Sequence, residues 1–428
     1  MATNTPELGP SPLARGDAQI SVAEARARIA ASLAPISGHE QRPLAEALGR
    51  VLADDVVSPI DVPAHDNSAM DGFAFRGVEL QADGESRFRV VGAVMAGDAA
   101  PVATAAGDCV RIMTGAVMPA GLDTVVPLEL CREEGGVVHI AAGVIHAGEN
   151  RRRRGEDLAQ GKPALRRGRV LRPADLGLAA SLGLTQVPVM RRLRVALFST
   201  GNELREPGQP LGAGCIYDSN RHSLAAALRR MGVEVIDLGL VADDRAALEA
   251  TLARALREAD VVLTSGGVSM GDADYTRDLL ASMGEVAFWK VAMRPGRPFA
   301  FGPLRRPDGG DPAWLFALPG NPVAALVTFY AFAQEALWTL AGAVQPPMPR
   351  LSARCATPIR KRPGRTEFQR AVVEAAPEGG WQVRLTGSQG AGILRSMSEA
   401  NALLVLGHEQ GSVAAGEWVE VWLFDGLV

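Results

Sequence analysis

Four cysteines in 428 residues (Cys109, Cys131, Cys215, Cys355) lie far apart, with no CxxC pair among them. That scatter argues against a disulfide-stapled scaffold and leaves a reduced, cytoplasmic protein as the expectation. The six histidines form no HxxxH or HExxH spacing, so a zinc site of the usual kinds is not expected. Basic charge is not in excess: 44 Lys and Arg against 48 Asp and Glu give a net charge of −4, which argues against a general nucleic-acid binder. An apolar leader is missing as well. The opening MATNTPELGPSPLARGD (1–17) is polar and Pro-rich and reads as a flexible tail rather than a signal peptide. The longest apolar run, PVAALVTFYAFAQEALWTLAGAV (322–344), is broken by Gln334 and Glu335. A carboxylate at the bilayer centre costs roughly 3 kcal/mol on insertion scales, so this run reads as a buried helix, with no membrane association. No repeat of 20–50 residues is visible.

What is present is enough apolar content for several cores, at 47%, and only 21% charged residues, which excludes a disordered chain. The length suggests about three domains. Residues 18–57 read as helical: SVAEARARIAASLAP has apolar spacing of three and four, and PLAEALGRVLADDV follows with a second such pattern. Residues 58–149 open on a long Pro- and Asp-rich loop and continue in short β-like runs between Gly/Pro turns. A charged connection, NRRRRGEDLAQGKPAL, leads to LRPADLGLAASLGLTQVPV, which reads as helix, turn and strand. Because helical pieces flank the β-rich stretch, 58–149 is expected to be an insertion. The segments 18–57 and 150–190 would then pair as an elongated linking domain.

From 191 to 344 strands and helices alternate, which predicts a doubly wound, mostly parallel α/β sheet with helices on both faces. From 345 to 428 only β-like runs occur, and a small β-barrel is expected. The fold class is therefore multidomain α/β with a β-rich insertion, a helical and extended linker and a C-terminal barrel.

In open α/β sheets ligands bind beyond the carboxyl ends of the strands. The residues that fall there are Ser199, Thr200, Gly201, Asn202 and Glu203 after the first strand, and Asp243 and Asp244 after the second. After the third come Ser265, Gly266, Gly267, Ser269, Asp272 and Asp274. Lys290, the RPGRP turn with Arg294 and Arg297, and the PGN turn of Pro319, Gly320 and Asn321 follow. Bare glycine backbone lets N–H groups approach an anion, and a following helix N-terminus adds a positive dipole. Carboxylates beside such a cradle make sense if Mg²⁺ bridges them to a phosphate, with arginines gripping the remaining oxygens. Each piece also has a plain reading: TSGG as a tight turn, Asp272 and Asp274 as helix caps, Lys290 as a snorkelling side chain, the four arginines at 151–154 as a solvated turn. Convergence at one sheet edge is what favours a phosphorylated or oxyanionic ligand. Outside this unit, Asp66, Asp71 and Thr114 are either local turn residues or site residues, and Arg365, Arg370 and Ser396 are surface residues on composition alone.

The stretches SPIDVPAHDNSAMDGFAFR, RIMTGAVMPAG, RRRGEDL, VALFSTGNEL, YDSNR, TSGGVSMGDADY, FWKVAMRPGRPFAFG and LPGNPVAALVTF together resemble the MoeA family of molybdopterin molybdenumtransferases, to which the C-terminal domain of gephyrin is related. The resemblance runs over about 18–425 in the family's order. It implies insertion of molybdate into adenylylated molybdopterin with release of AMP, Mg²⁺ as cofactor, and an elongated homodimer whose sites are shared between chains. By motif it implies catalytic roles for Asp71, Thr114, Glu203, Asp243, Asp274 and Lys290, with Asp243 and Asp274 as metal residues. Thr200, Gly201, Ser265, Gly266, Gly267, Ser269, Arg294, Arg297, Pro319, Gly320, Asn321, Arg370 and Ser396 would bind substrate, and molybdate lies with the arginines. The chain departs from several relatives in reading RPGRP where they have KPGK, which replaces a point charge with a forked planar donor. Three other readings stay open: a molybdopterin adenylyltransferase, which needs only the α/β unit; a gephyrin-like scaffold; and a molybdate-binding store.

Overall fold

The computed structural model describes residues 19–98, 102–266, 274–344 and 349–424. The expected tail at 1–17 falls outside them, as do Gly267, Ser269 and Asp272. Asp274 is described only as the first residue of a helix.

The central unit is a six-stranded sheet built from β1 (Arg194–Thr200), β2 (Glu234–Val241), β3 (Val261–Ser265), β4 (Ala287–Lys290), β5 (Pro298–Leu304) and β6 (Ala313–Leu318). Their spatial order is β2-β1-β3-β6-β5-β4. The first four in that order are parallel, and β5 and β4 are added antiparallel. Side-chain alternation along β1 sends Val195 and Leu197 to one face and Ala196 and Phe198 to the other. On the first face they pack with Leu224 and Leu228 of a helix over Asn220–Arg230 and with the long helix Pro322–Leu340. On the second face lie Leu248, Leu252 and Leu256 of the helix Arg245–Glu258 and Leu279 and Leu280 of the helix Asp274–Met283. The sheet is therefore covered on both sides, as the alternation predicts.

The run 322–344 forms that long helix, which contains one π-helical turn at Phe329–Ala333. Among the described residues it alone is long and apolar enough to cross a bilayer, yet most of it is buried within the protein. Glu335 in its middle pairs with Arg26 of the helix Val22–Ser32. That first helix packs onto the α/β unit, adding Ile20, Val22, Ala25 and Ile29 to the core beneath the sheet.

The second helical pattern, at 43–56, is not a helix. Only a single 3₁₀ turn forms, at Leu44–Glu46, and Gly49 turns the chain with φ of 73°. Ala47, Leu52 and Val56 then bury against Leu165, Leu171, Val187 and Val189 of extended segments, so tertiary burial overrides the local period. His39–Pro43 pairs antiparallel with Gln186–Met190, and Val56–Val57 with Pro163–Leu165, giving a narrow ladder. A separate six-stranded sheet lies in 72–141, with packed clusters around Phe73, Phe75 and Phe88 and around Val94, Val110 and Ile112.

The C-terminal strands Arg350–Cys355, Thr366–Ala375, Trp381–Leu385, Ala402–Leu406 and Trp418–Leu423 close on themselves, because Thr366–Ala375 pairs with both Trp381–Leu385 and Ala402–Leu406. A five-stranded barrel results. It is not purely β: Leu394–Ser398 forms a short helix where only strands were expected. Met293 and Arg294 of the RPGRP turn pair with Thr366 and Glu367, so the barrel is docked on the turn that carries the arginines.

Candidate functional site

The register of the parallel strands aligns their carboxyl ends. Thr200 lies opposite Val241, and Ser265 lies between Ser199 and Leu318. The loops that follow therefore leave the sheet along one edge, and there they line a cavity of about 1150 Å³. Thr200, Gly201, Glu203, Asp243, Ser265, Gly266, Arg294, Arg297, Pro319, Gly320 and Asn321 all face it. Gly266 has φ of +92°, and a side-chain carbon there would collide with the Thr200 carbonyl oxygen, so no other residue fits that turn. Gly296, at +96°, is held as closely against Thr328 of the long helix, which seats the RPGRP turn on the sheet unit.

Polar residues not anticipated from the sequence complete the walls. Asn220 is buried, and its Nδ2 donates to Ser265 Oγ and to the Gly320 carbonyl, both at 2.7 Å, tying three strand-end loops together. Asp218 is also buried and accepts from Ser199 Oγ and from the Arg221 backbone N–H and Nε, each at 3.1 Å. Arg221 in turn meets Asp237 at 2.7 Å and Glu206. The signal for both residues was the motif YDSNR, legible only as a helix cap. Arg365 and Gln389 line the cavity from the barrel; only docking of that domain brings them there. Three helix N-termini meet at the cavity through Ser219 and Asn220, through Asn321 and Pro322, and through Gly392 and Leu394. The positive ends of their dipoles favour an anion, although several first-turn N–H groups, those of Arg221 and Val323 among them, already have partners.

A second cavity of about 250 Å³ adjoins the first, sharing Arg294, Pro295 and Gln389 with it, and is lined by Arg360, Glu367, Gln369 and Arg370; the Glu367 carboxylate is engaged by Arg365 and Gln369 rather than by Arg370. Arg370 is 0% exposed. Its Nε donates to Ser396 Oγ at 3.0 Å and its Nη2 to the Gly390 carbonyl at 3.0 Å. Its partners are neutral oxygens. Burial, and then the nearby charge of Arg294, push its pKa down to about 10. A guanidinium desolvated without a carboxylate is short of negative charge, and an inorganic oxyanion would supply it.

Other sequence-selected residues lie apart. Lys290 closes β4, with its carbonyl accepting from Ile20, and is not among the residues lining the main cavity. Asp71 and Thr114 belong to the 72–141 sheet unit and are exposed. The Asp71 carboxylate accepts from the Thr114 N–H and Oγ, both at 2.7 Å, and these bonds hold its pKa below the ordinary range. Of the arginines at 151–154, Arg152 pairs with Glu156 and Arg154 with Asp61, whereas Arg151 Nε lies 3.6 Å from Asp66 without a hydrogen bond.

No group of three or more acidic, His or Cys side chains able to hold a metal occurs among the described residues. Glu203 and Asp243 nonetheless face one cavity. Mg²⁺ commonly takes one or two carboxylates and completes its shell with water and substrate phosphate, so the donor set fits that ion in the presence of a phosphorylated ligand.

A sheet unit with a polar cleft at its strand ends, capped by a docked barrel and joined to a β-rich unit, defines a multidomain α/β protein with a built ligand cleft. Comparison with known proteins makes the class specific. The MoeA N-terminal region (domain I and II) matches residues 20–183, a probable molybdopterin binding domain matches 196–339, and the MoeA C-terminal region (domain IV) matches 352–424. The molybdopterin molybdenumtransferase of Haemophilus influenzae is 40% identical over 96% of this chain and 100% of its own length. Molybdopterin molybdenumtransferase 2 of Mycobacterium tuberculosis is 38% identical over 89% of this chain and 94% of its own. The crystal structure of the molybdopterin biosynthesis moeA protein from Pyrococcus horikoshii superposes with a TM-score of 0.82 at 29% identity, covering 95% of this chain and 100% of that one. The chain belongs to the MoeA family of molybdopterin molybdenumtransferases, transferases of molybdenum-cofactor biosynthesis.

Proposed function

We propose that the protein transfers molybdenum from molybdate to the dithiolene of adenylylated molybdopterin, releasing AMP, in a Mg²⁺-dependent reaction. The observation that carries this is the pairing of the two cavities. One combines glycine backbone, helix N-termini and the carboxylates of Glu203 and Asp243. The other holds Arg370 buried among neutral oxygens, and Arg294 lines both. A nucleotide-tailed pterin suits the first and a tetrahedral dianion the second.

In this reading Gly266, Asn321 and the helix N-termini bind the phosphates through backbone N–H groups, and Asn220 keeps the Ser265 and Gly320 loops in register. Arg294 and Arg370 hold molybdate beside the dithiolene sulfurs, with Ser396 orienting Arg370 and Arg297 approaching from the first cavity, which makes the encounter effectively unimolecular. Asp243 and Asp274 would hold Mg²⁺, which when bound neutralises charge developing on the departing phosphate. Lys290 contributes positive potential from the edge of the sheet. Gly267 and Ser269, outside the described residues, are assigned to phosphate binding by the family motif alone. The protein works as a homodimer in the cytoplasm, with Asp71 and Thr114 of one protomer completing the other protomer's site. What supports this is that both are exposed and neither lines the cavity of its own chain.

The test follows AMP release from adenylylated molybdopterin with molybdate and Mg²⁺ present. Asp274→Asn is expected to abolish release while the protein still folds; near-normal turnover would remove Asp274 from the mechanism. Adenylylation of free molybdopterin by ATP, with no dependence on molybdate, would instead make the protein an adenylyltransferase.

A further inference from the structure

Between β1 and the helix Asn220–Arg230 the chain forms a short parallel pair, Leu204–Arg205 with Ile216–Tyr217. Ile216 is 56% exposed and Tyr217 43% exposed, although both line the main cavity. Leu204, paired in register with Ile216, lines it too. No packing within the chain calls for apolar side chains at these exposed positions. Apolar surface left open at the rim of a polar cleft is the usual mark of a ligand contact.

The pair is also fixed before any ligand arrives. The Tyr217 hydroxyl donates to the Gln209 carbonyl at 2.9 Å, and the Ile216 and Asp218 N–H groups donate to the Glu203 and Arg205 carbonyls at 2.9 and 3.0 Å. Arg205 Nη1 donates to the carbonyls of Asn202 and Leu204. Behind the pair, buried Arg221 holds Glu206. A ring held this way loses little freedom on binding. The remaining lining is of glycines, prolines, polar or charged groups and aliphatic or thioether side chains, Met293 and Leu394 among them, and Tyr217 is the sole aromatic among the described lining residues.

We propose that Tyr217 is a stacking shelf for the flat fused heterocycle of the substrate and sets specificity for it. This rests on the reading of the cleft as the site of a nucleotide-tailed pterin, which supplies two such rings, adenine and pterin. The strand pair that carries the shelf is flanked in sequence by the cleft residues Glu203 and Asp218, and the glycine turn at Gly266 lines the same cavity.

The experiment is calorimetric titration of the full-length protein with AMP, with ribose 5-phosphate, which lacks the base, and with a phosphate-free pterin. Base–aromatic stacking corresponds to roughly five- to hundredfold in affinity. Wild-type protein is expected to bind at least one of the two ring ligands by means of the shelf. Tyr217→Ala should then erase the preference for AMP over ribose 5-phosphate, or weaken the pterin by a similar factor, while ribose 5-phosphate affinity holds. The ligand affected identifies which ring uses the shelf. Tyr217→Phe, which keeps the ring and loses only the Gln209 bond, should retain most of the affinity. Unchanged AMP preference and pterin affinity in Tyr217→Ala overturn the shelf, and so does equal weakening of all three ligands, which would signal a disturbed cleft. If neither AMP nor ribose 5-phosphate binds the wild type, the nucleotide reading fails, and the shelf is then decided by the pterin alone.

Discussion

Arg370 concentrates the argument at the scale of one side chain. It is wholly buried, donates only to neutral oxygens, and keeps its charge at neutral pH because even the lowered pKa of about 10 lies well above 7. A cation whose folded pKa lies below its unfolded value costs stability wherever it is charged, and that cost fades only as pH rises through about 10. An oxyanion beside it should relieve the cost. Molybdate is therefore expected to stabilise the wild type, by about 2.7 kcal/mol at a hundredfold excess over Kd. Arg370→Met should be at least as stable as wild type without the anion and should show no such response, because removing a poorly compensated buried charge is often neutral or favourable. Thermal melts with and without molybdate decide it, and a full response in Arg370→Met would empty the second cavity of its assigned ligand. At this scale legibility was uneven. Gly266 and Glu203 could be read because they follow a strand whose end is predictable from its apolar run. Asp218 and Asn220 looked like capping residues, since their bonds to Ser199, Ser265 and Gly320 join segments distant in sequence.

Among elements, Asp260 shows how a single carboxylate joins several. It stands just before β3 and accepts a fork from Arg191 Nη1 and Nη2, both at 2.8 Å, and the Arg194 N–H at the start of β1, at 2.9 Å. Arg191 follows the ladder strand Gln186–Met190, and Arg306, 3.5 Å away, also bonds the last carbonyls of the helix Arg245–Glu258. Burial pushes the Asp260 carboxyl up, but the bonds from Arg191 and Arg194 outweigh it and hold the pKa below the ordinary 3.8. A depressed carboxyl contributes stability above its unfolded pKa and loses it as pH falls through the folded one. Asp260→Asn should therefore be less stable than wild type at pH 7 by about 3–5 kcal/mol, the usual cost of stripping one partner from a buried pair. The gap should narrow as pH drops below 4 in a series of denaturant melts; a gap constant from pH 7 to 3 would contradict it. The elements themselves were mostly visible in the sequence, since most strands and helices of 191–344 have enough length to show their period, the two-residue strands such as Leu204–Arg205 and Ile216–Tyr217 excepted. The 43–56 stretch misled because its helical spacing coincides with residues that bury one by one against Leu165 and Val187. The turn of helix at Leu394–Ser398 was too short to have a period at all.

For the molecule as a whole, the decisive matter is where Asp71 and Thr114 act. They sit in the β-rich unit and do not line the cavity of their own chain. Sequence reading assigned them to the site through family likeness alone, because no local pattern reports a contact made by a second copy. If each site borrows them from the partner, two inactive variants should rescue one another. Asp71→Asn damages only the site on the partner's sheet, and Glu203→Gln damages only the site on its own. In a mixed dimer, one site then carries both lesions and the other carries neither. Random exchange makes half the dimers mixed, so mixing equal amounts after reversible dissociation should restore about a quarter of wild-type AMP release. Each variant alone should stay near zero. If Asp71 instead served its own chain, every site in every dimer would hold one lesion and the mixture would stay as inactive as its parts. The rescue also depends on exchange: it should appear on a dissociation timescale and be absent when the two variants are mixed without it. A rescue of that size fixes the site as shared, and its absence despite verified exchange returns Asp71 and Thr114 to a local turn.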